Sequence, residues 1–421
     1  MPPVETAAPA DTAKPAYRDA NVLRWLTAYT ASAVGDSVYF LALGWAAHQI
    51  TSPAQVGLVM SAGALPRAVL MLGGGLVSDR FGLRRVVIAS DTVRCLTVLA
   101  VAAALALTSP GVWLLLVVAL VFGVVDAVFI PSVSALPPRI TRPSQLSRVQ
   151  GMYALGMRLG GTLGPPAAGV AMAVSGPPAA FALAGGLFAL SLALLVTVRV
   201  AAGPSAGAPA DGRRGLADGF RYIRRHPLIG PLAAGSFLVT AGTSGPLNVG
   251  LVLLAGERGW GAAGVGWIVG AFSGGAGASA LLLTVVGRLP RAGAVQVGAL
   301  AIGAVAVGGL AGTGALPLAA GLGAVSGLVF GVAGGLTSAL VQAAAEPAFL
   351  GRVMSVISLA TFGLGPLTYA VFGAAVGLWG TGPAFLASAL ITALGAAVRL
   401  ASPTVRRAEL PRPGGADRRA S

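Results

Sequence analysis

Charge is scarce in this chain. Only 10% of its 421 residues are Asp, Glu, Lys or Arg, against roughly 25% in soluble globular domains. That shortage excludes an ordinary soluble domain. Cysteine occurs once, as Cys95 inside an apolar run, so neither a disulfide framework nor a thiolate metal centre can form. The two histidines, His48 and His226, are far apart and make no metal-ligand pattern, so no metal and no cofactor are expected. Lysine is represented by Lys14 alone, and arginine supplies the other basic residues. No HExxH, no GxSxG and no catalytic His/Cys pair is present, so an enzyme is not expected. No glycine-rich loop is followed by Lys-Ser/Thr, which removes the ATP-driven alternative. Residues 1–20 have no apolar core of the kind a cleavable signal needs, and are expected to be a cytoplasmic tail.

Apolar residues and glycine are what the chain has in excess. Hydrophobic residues make up 56%, and 62 residues are Gly, roughly twice the usual share. Glycine-rich apolar helices suit close packing in a bilayer. A net charge of +15 could point to nucleic acid, but the charges gather at helix ends and in loops, as topology signals do. The arginine bias, with abundant Ala and Gly, fits a high-GC bacterial genome.

Runs of about 20 apolar residues are candidate spans. Twelve are expected, over 24–49, 55–78, 84–108, 111–134, 150–175, 179–200, 228–255, 262–286, 293–313, 315–338, 352–377 and 381–401. With the N-terminus inside, the inner loops collect arginines from Arg80 to Arg352, while the outer loops hold only Arg258, beside Glu257. That asymmetry predicts both termini in the cytoplasm. The expected fold class is an all-α integral membrane protein, with twelve transmembrane helices in two pseudo-symmetric six-helix halves. Its parts are a tail over 1–20, a first half over 21–200, a cytoplasmic linker over 201–227, a second half over 228–401 and a tail over 402–421. Within the linker, Leu216, Phe220 and Ile223 share one helical face, and Arg221, Arg224 and Arg225 another. This predicts a short helix at the membrane surface, ended by His226-Pro227.

The halves repeat each other. Pro143, Leu146, Arg148 and Val149 before helix 5 align with Pro347, Leu350, Arg352 and Val353 before helix 11. Gly164-Pro165 and Gly365-Pro366 align in the same helices. Two halves related by an axis along the membrane normal would give this pattern.

Between the second and third apolar runs, Gly75 to Arg85 reads Gly-Leu-Val-Ser-Asp-Arg-Phe-Gly-Leu-Arg-Arg. A loop this short makes its flanking helices antiparallel neighbours. The pattern GxxxDRxGxRR resembles the loop between helices 2 and 3 of the major facilitator superfamily of secondary transporters. The matching residues are Gly75, Asp79, Arg80, Gly82, Arg84 and Arg85; Leu83 stands where the family often has a further basic residue. Over residues 20–400 the chain looks most like the twelve-span bacterial drug and siderophore exporters. The features are Gly35-Asp36 in helix 1, Asp91 and Arg94 early in helix 3, Pro131 in helix 4, and Gly351 to Ser355 at helix 11. One departure is Asp126, in a helix where many proton-coupled exporters carry Arg, so their proton-transfer scheme does not carry over. The resemblance implies rocking of two halves around a central site. It also implies that Asp79 meets the start of helix 11, near Arg352, when the transporter faces outward. Asp91 and Arg94 are expected to join this gating network, with Gly75 and Gly82 permitting close approach.

Ionisable residues inside a bilayer are expensive, roughly 2.5–3.5 kcal/mol each on insertion scales, and default to functional hypotheses. Four lie away from the span ends: Asp36, Arg67, Asp126 and Arg158. They are expected at similar depth, with Asp36 and Asp126 as proton carriers and Asp126 paired to Arg158. The rival reading is permanent ion bridges locking helix 1 to 2 and helix 4 to 5. Arg24 and Arg399, at helix ends, are expected to snorkel. The second half is expected to contribute neutral groups, Thr240, Asn248 and Tyr369. Glycine stripes at Gly266, Gly270 and Gly274, and at Gly327, Gly331 and Gly335, read as helix-packing surfaces.

The expected function is proton-coupled export of amphipathic small molecules by a monomer in the bacterial cell membrane, with lipid, substrate and protons as partners and no nucleic acid. The alternatives are a dedicated exporter of one metabolite, such as a siderophore or antibiotic, and a non-transporting receptor or scaffold.

Overall fold

The computed structural model describes residues 15–71, 77, 80–200, 212–287 and 290–410. Among them the regular structure is helical, and local chemistry sets the helix ends. Asp19 accepts a hydrogen bond from Asn21 N at 2.8 Å and caps α1 (Ala20–Ile50). Gln55 accepts from Ser52 N at 3.3 Å, and Pro53 opens α2 (Pro53–Leu70). Gly82, at φ 85°, turns the chain into α3 (Leu83–Leu107). After α4 (Val112–Ser134) comes α5 (Leu146–Thr197), twice the length of its neighbours. The two spans expected over 150–175 and 179–200 are the limbs of α5. They meet at a break where Ser175 and Gly176 leave helical geometry ahead of Pro177-Pro178.

The linker forms α6 (Gly212–Arg225). His226 ends it by accepting at Nδ1 from Leu228 N and Ile229 N, which caps α7 (Ile229–Gly245). A single π-turn, Pro246–Gly250, carries α7 into α8 (Leu251–Glu257). Then follow α9 (Gly261–Val286), α10 (Ala292–Gly312), α11 (Leu316–Ala344), α12 (Pro347–Trp379) and α13 (Thr381–Ala401).

Among the described residues, nine segments are long and apolar enough to cross a membrane. The count is lower than the twelve expected because the limbs of α5 merge into one segment. In addition, α1, with Arg24 and Asp36, and α2, with Arg67 in its last turn, are not among the nine. Large apolar side chains face outward all over the molecule, among them Leu96, Leu107, Leu281, Val285 and Leu390. A surface so apolar is a lipid-facing one.

Packing brings distant segments together. α1 lies along α5, α2 along α12 and α4, α9 along α5 and α11, and α13 along α7 and α10. Backbones nearly touch at two of these crossings. A Cβ on Gly57 would stand 2.5 Å from Tyr369 O, and one on Gly266 the same distance from Pro165 O. The linker helix docks on α12: the Tyr222 ring stacks on Phe349 at 4.6 Å, and Ile223 is buried, although Phe220 stays exposed.

Candidate functional site

A cavity of about 350 Å³ lies where α1, α2, α4, α5, α9 and α12 converge. Its wall carries Asp36, Arg67 and Asp126, three of the four intramembrane charges expected there, with Tyr39 beside them. The facing wall is neutral and polar, with Asn248, Ser273 and Tyr369. Each side chain owes its position to an apolar helix whose interruption by a charge has to face the interior.

The acids converge on Arg94. Its guanidinium is 1% exposed. Nη2 is hydrogen-bonded to Asp126 Oδ1, while Nη1 lies 3.6 Å from Asp36 Oδ2 and 3.4 Å from Asp91 Oδ1. The Phe129 ring covers it at 3.8 Å. Arg67 reaches Asp126 Oδ2 from the other side at 3.8 Å. Asp91 is fully buried and accepts from Ser32 Oγ at 3.2 Å and from Ser191 Oγ at 2.6 Å. Asp36 is held less firmly. Its side chain is 35% exposed, yet Oδ1 is buried with no hydrogen-bond partner. Three carboxylates thus share two guanidiniums. Burying a charge is costly unless it is paired and hydrogen-bonded, and the unequal pairing leaves Asp36 the most weakly satisfied.

Several sequence expectations need correction. Arg158 does not pair with Asp126. It lies one turn before the wall residue Gly161 on α5, exposed and without an ion pair among the described residues. Depth along a helix does not fix which group a side chain meets. Arg94 and Asp91 are not outlying members of the loop network, because Arg94 is the centre of the cavity cluster. The signal is in the sequence: Arg94 stands 11 residues into α3, roughly 16 Å along its axis, as deep as the others. Arg399 does not snorkel. It is 2% exposed and is bonded to Ser236, Leu232 O and Thr337. Arg24 is exposed, as expected.

Of the gating motif, Gly75 and Asp79 lie outside the described residues. Gly82 meets nothing that would hinder a Cβ, so its positive φ, and not a close approach, calls for glycine. Arg84 donates to Val198 O at 3.2 Å and to Val196 O at 2.7 Å, tying the start of α3 to the end of α5. Arg80 lies over Phe81 at 5.6 Å, and Arg85 is exposed. Arg352 faces Asp218 of the linker helix at 4.0 Å and covers Phe349.

Apolar helices around a charged interior cavity are the arrangement of a multi-pass membrane transport protein. The chain belongs to the Major Facilitator Superfamily, whose family model matches residues 25–362. It is 27% identical over 410 residues to a protein of Mycolicibacterium fortuitum named multidrug efflux pump Tap, covering 91% of this chain and 95% of the relative. It is 27% identical over 407 residues to the protein of the same name in Mycobacterium tuberculosis, with 90% and 92% covered. Among solved structures, the nucleoside transporter NupG superposes with a TM-score of 0.69 at 16% identity, covering 91% of this chain and 99% of that one. A bacterial homologue of the lysosomal transporter Spinster, in an inward-facing and occupied conformation, gives a TM-score of 0.69 at 14% identity, with 93% and 98% covered. These structures share the fold. The protein is accordingly a multi-pass protein of the bacterial cell membrane that handles small molecules.

Proposed function

We propose that the chain is a secondary exporter of amphipathic small molecules, coupled to protons and working by alternating access. The observation that carries the reading is the cavity-wall position of Asp36 and Asp126, both drawn to one buried guanidinium. A proton arriving on either carboxylate weakens its attraction to Arg94 and changes the balance among the helices that hold them. Substrate entering the cavity competes for the same groups, which couples the two events. The relatives named multidrug efflux pump support export.

The proposed architecture is twelve spans in two halves, over 21–200 and 228–401, joined by the linker over 201–227. The pairings of α2 with α12 and of α9 with the first limb of α5 support it, because one twofold operation exchanges them. So does the repeat, in which Val149 and Val353 are both fully buried at matching positions. The proposal places both termini, and α6, in the cytoplasm. It treats the protein as a monomer. Close approaches between the halves gather at the end away from α6, where Gly57 meets Gly373 and Gly169 meets Ala263. That distribution supports an inward-facing state.

The test is efflux from everted vesicles with and without a collapsed proton gradient. Asp36→Asn should remove gradient-driven flux while the protein stays folded in the membrane. Wild-type flux with wild-type pH dependence in Asp36→Asn would falsify the carrier role.

A further inference from the structure

Among the described residues, Arg399 is buried and makes no ion pair with a carboxylate. The same molecule shows what burial of a guanidinium normally requires, since Arg94 has three carboxylates around it. Between residues 228 and 401 the only acids are Glu257 and Glu346. Glu257 bonds to Thr381 at the far end of the molecule, and Glu346 lines a different cavity. Asp218 faces Arg221 and Arg352. Arg399 instead donates to neutral oxygens: Nη1 to Thr337 Oγ1 at 3.2 Å, and Nη2 to Leu232 O at 3.1 Å and Ser236 Oγ at 2.7 Å. Nε has no acceptor. Hydrogen bonds to neutral groups orient a charge but do not cancel it, and a low-dielectric surrounding makes the uncancelled charge attract an anion strongly.

Space for that anion exists beside it. Arg399 forms part of the wall of a cavity of about 260 Å³ that also carries the hydroxyl side chains Ser236, Thr240, Thr337 and Ser338. Ser236 and Thr240 also line a second cavity, of about 540 Å³, between α6, α7 and α12. The second cavity is apolar, with Phe220, Phe237 and Val356 on its wall and Arg224 as its one charged residue. Two chambers in series, each with a cation on its wall and the first with hydroxyls set among apolar side chains such as Leu300, Phe330 and Met354, match a molecule that has an anionic head and a hydrocarbon chain.

We propose that the Arg399 cavity binds the oxyanion of an anionic membrane amphiphile, with its chain lying in the apolar cavity between α7, α12 and the linker helix. This site is separate from the transport cavity and does not depend on the proposed transport activity. The apolar approach disfavours a free inorganic anion, which would have to cross it unsolvated.

Native mass spectrometry of the full-length protein in neutral detergent tests the proposal. Phosphatidylglycerol and phosphatidylcholine of equal chain length are titrated against wild type, Arg399→Gln and Gly334→Leu. Gly334 lines the same cavity, and a Cβ there meets nothing within 4 Å, so Leu fills the cavity while the bonds of Arg399 stay in place. Wild type should retain one phosphatidylglycerol at least tenfold more tightly than phosphatidylcholine. Both variants should lose that preference, and Gly334→Leu keeps the test decisive if Arg399→Gln does not fold. Oleate should compete for the same site, being an oxyanion with a chain. Three outcomes overturn the proposal: no preference in wild type, a preference that survives in Gly334→Leu, or inorganic phosphate competing as well as phosphatidylglycerol.

Discussion

At the scale of single residues, Arg94 decides how the charged core behaves. Each of its three acids is held partly by the same guanidinium, so its removal leaves carboxylates facing one another in low dielectric. Arg94→Leu should therefore destabilise the fold by about 3–5 kcal/mol, the range for breaking a buried pair from one side, as read from thermal unfolding in detergent. A second prediction separates the partners of Asp126. In a double-mutant cycle of Asp126→Asn with Arg67→Gln, the interaction energy should fall within about 0.5–3 kcal/mol; Asp126→Asn with Arg158→Gln should be additive within about 0.5 kcal/mol. Additivity at Arg67 would show that the 3.8 Å approach carries no energy. Asp36, Arg67 and Asp126 are legible in the sequence because a charge within an apolar run is costly facing lipid and is favoured in an interior cavity, although Arg158 shows that the rule does not name its partners. Arg94 is harder to read because it follows the basic loop of Arg84 and Arg85, and its charge is easily counted with theirs. Arg399 hides for a similar reason. It stands two residues from the end of α13, yet α7 and α11 close over it, and no helix-end count reveals that.

At the scale of elements, the glycine stripes show what sequence can and cannot say about contacts. Gly266, Gly270 and Gly274 recur at helical spacing and read as one packing surface. The structure divides them. Gly266 and Gly270 press on Pro165 and Pro166 of α5, whereas a Cβ on Gly274 would meet nothing within 4 Å. Gly266→Ala should cost about 1–3 kcal/mol through overpacking against backbone that cannot yield. Gly274→Ala should be neutral, or stabilising by up to about 1 kcal/mol, because alanine is the better helix former. Thermal unfolding of the two purified variants checks this, and equal effects would mean that the spacing, and not the contact, sets the energetics. Spans such as α3, α4, α9 and α10 are plain from apolar length alone, since such runs have few other structures open to them in lipid. The break between the limbs of α5 is marked in the sequence by Ser175-Gly-Pro-Pro178, where Ser175 and Gly176 leave helical geometry. The π-turn between α7 and α8 leaves no such mark apart from Pro246.

At the scale of the whole molecule, transport requires a contact that exists in one state and not in the other. The inward-facing reading leaves the α6 end open and keeps the other end closed at Gly57 and Gly169. In this arrangement the start of α12 is engaged by the linker helix: Arg352 faces Asp218, Tyr222 lies on Phe349, and Glu346 N donates to the Tyr222 hydroxyl at 3.2 Å. Both members of the Arg352–Asp218 pair are more than a third exposed, so the pair itself contributes at most about 1 kcal/mol and can be exchanged cheaply. The resemblance of the Gly75 to Arg85 motif to the family loop supplies the exchange partner. In the proposed gate, closing the α6 end brings Asp79 to the N-terminus of α12, where the helix dipole favours an anion; Pro347 has no N–H, and Phe349 N and Leu350 N already donate to Glu346 O, so the attraction is electrostatic. A contact of about 1–2 kcal/mol would shift the balance of states roughly 5- to 30-fold. Asp79→Asn should therefore bias the protein toward the inward-facing state and slow turnover, with substrate binding largely intact. Cysteine accessibility at the two ends, measured in a Cys95→Ala background, reports that bias directly. Unchanged accessibility together with normal turnover would reduce the motif to a topology signal, and the gate would then have to lie in the linker helix, where Tyr222→Ala should produce the shift instead.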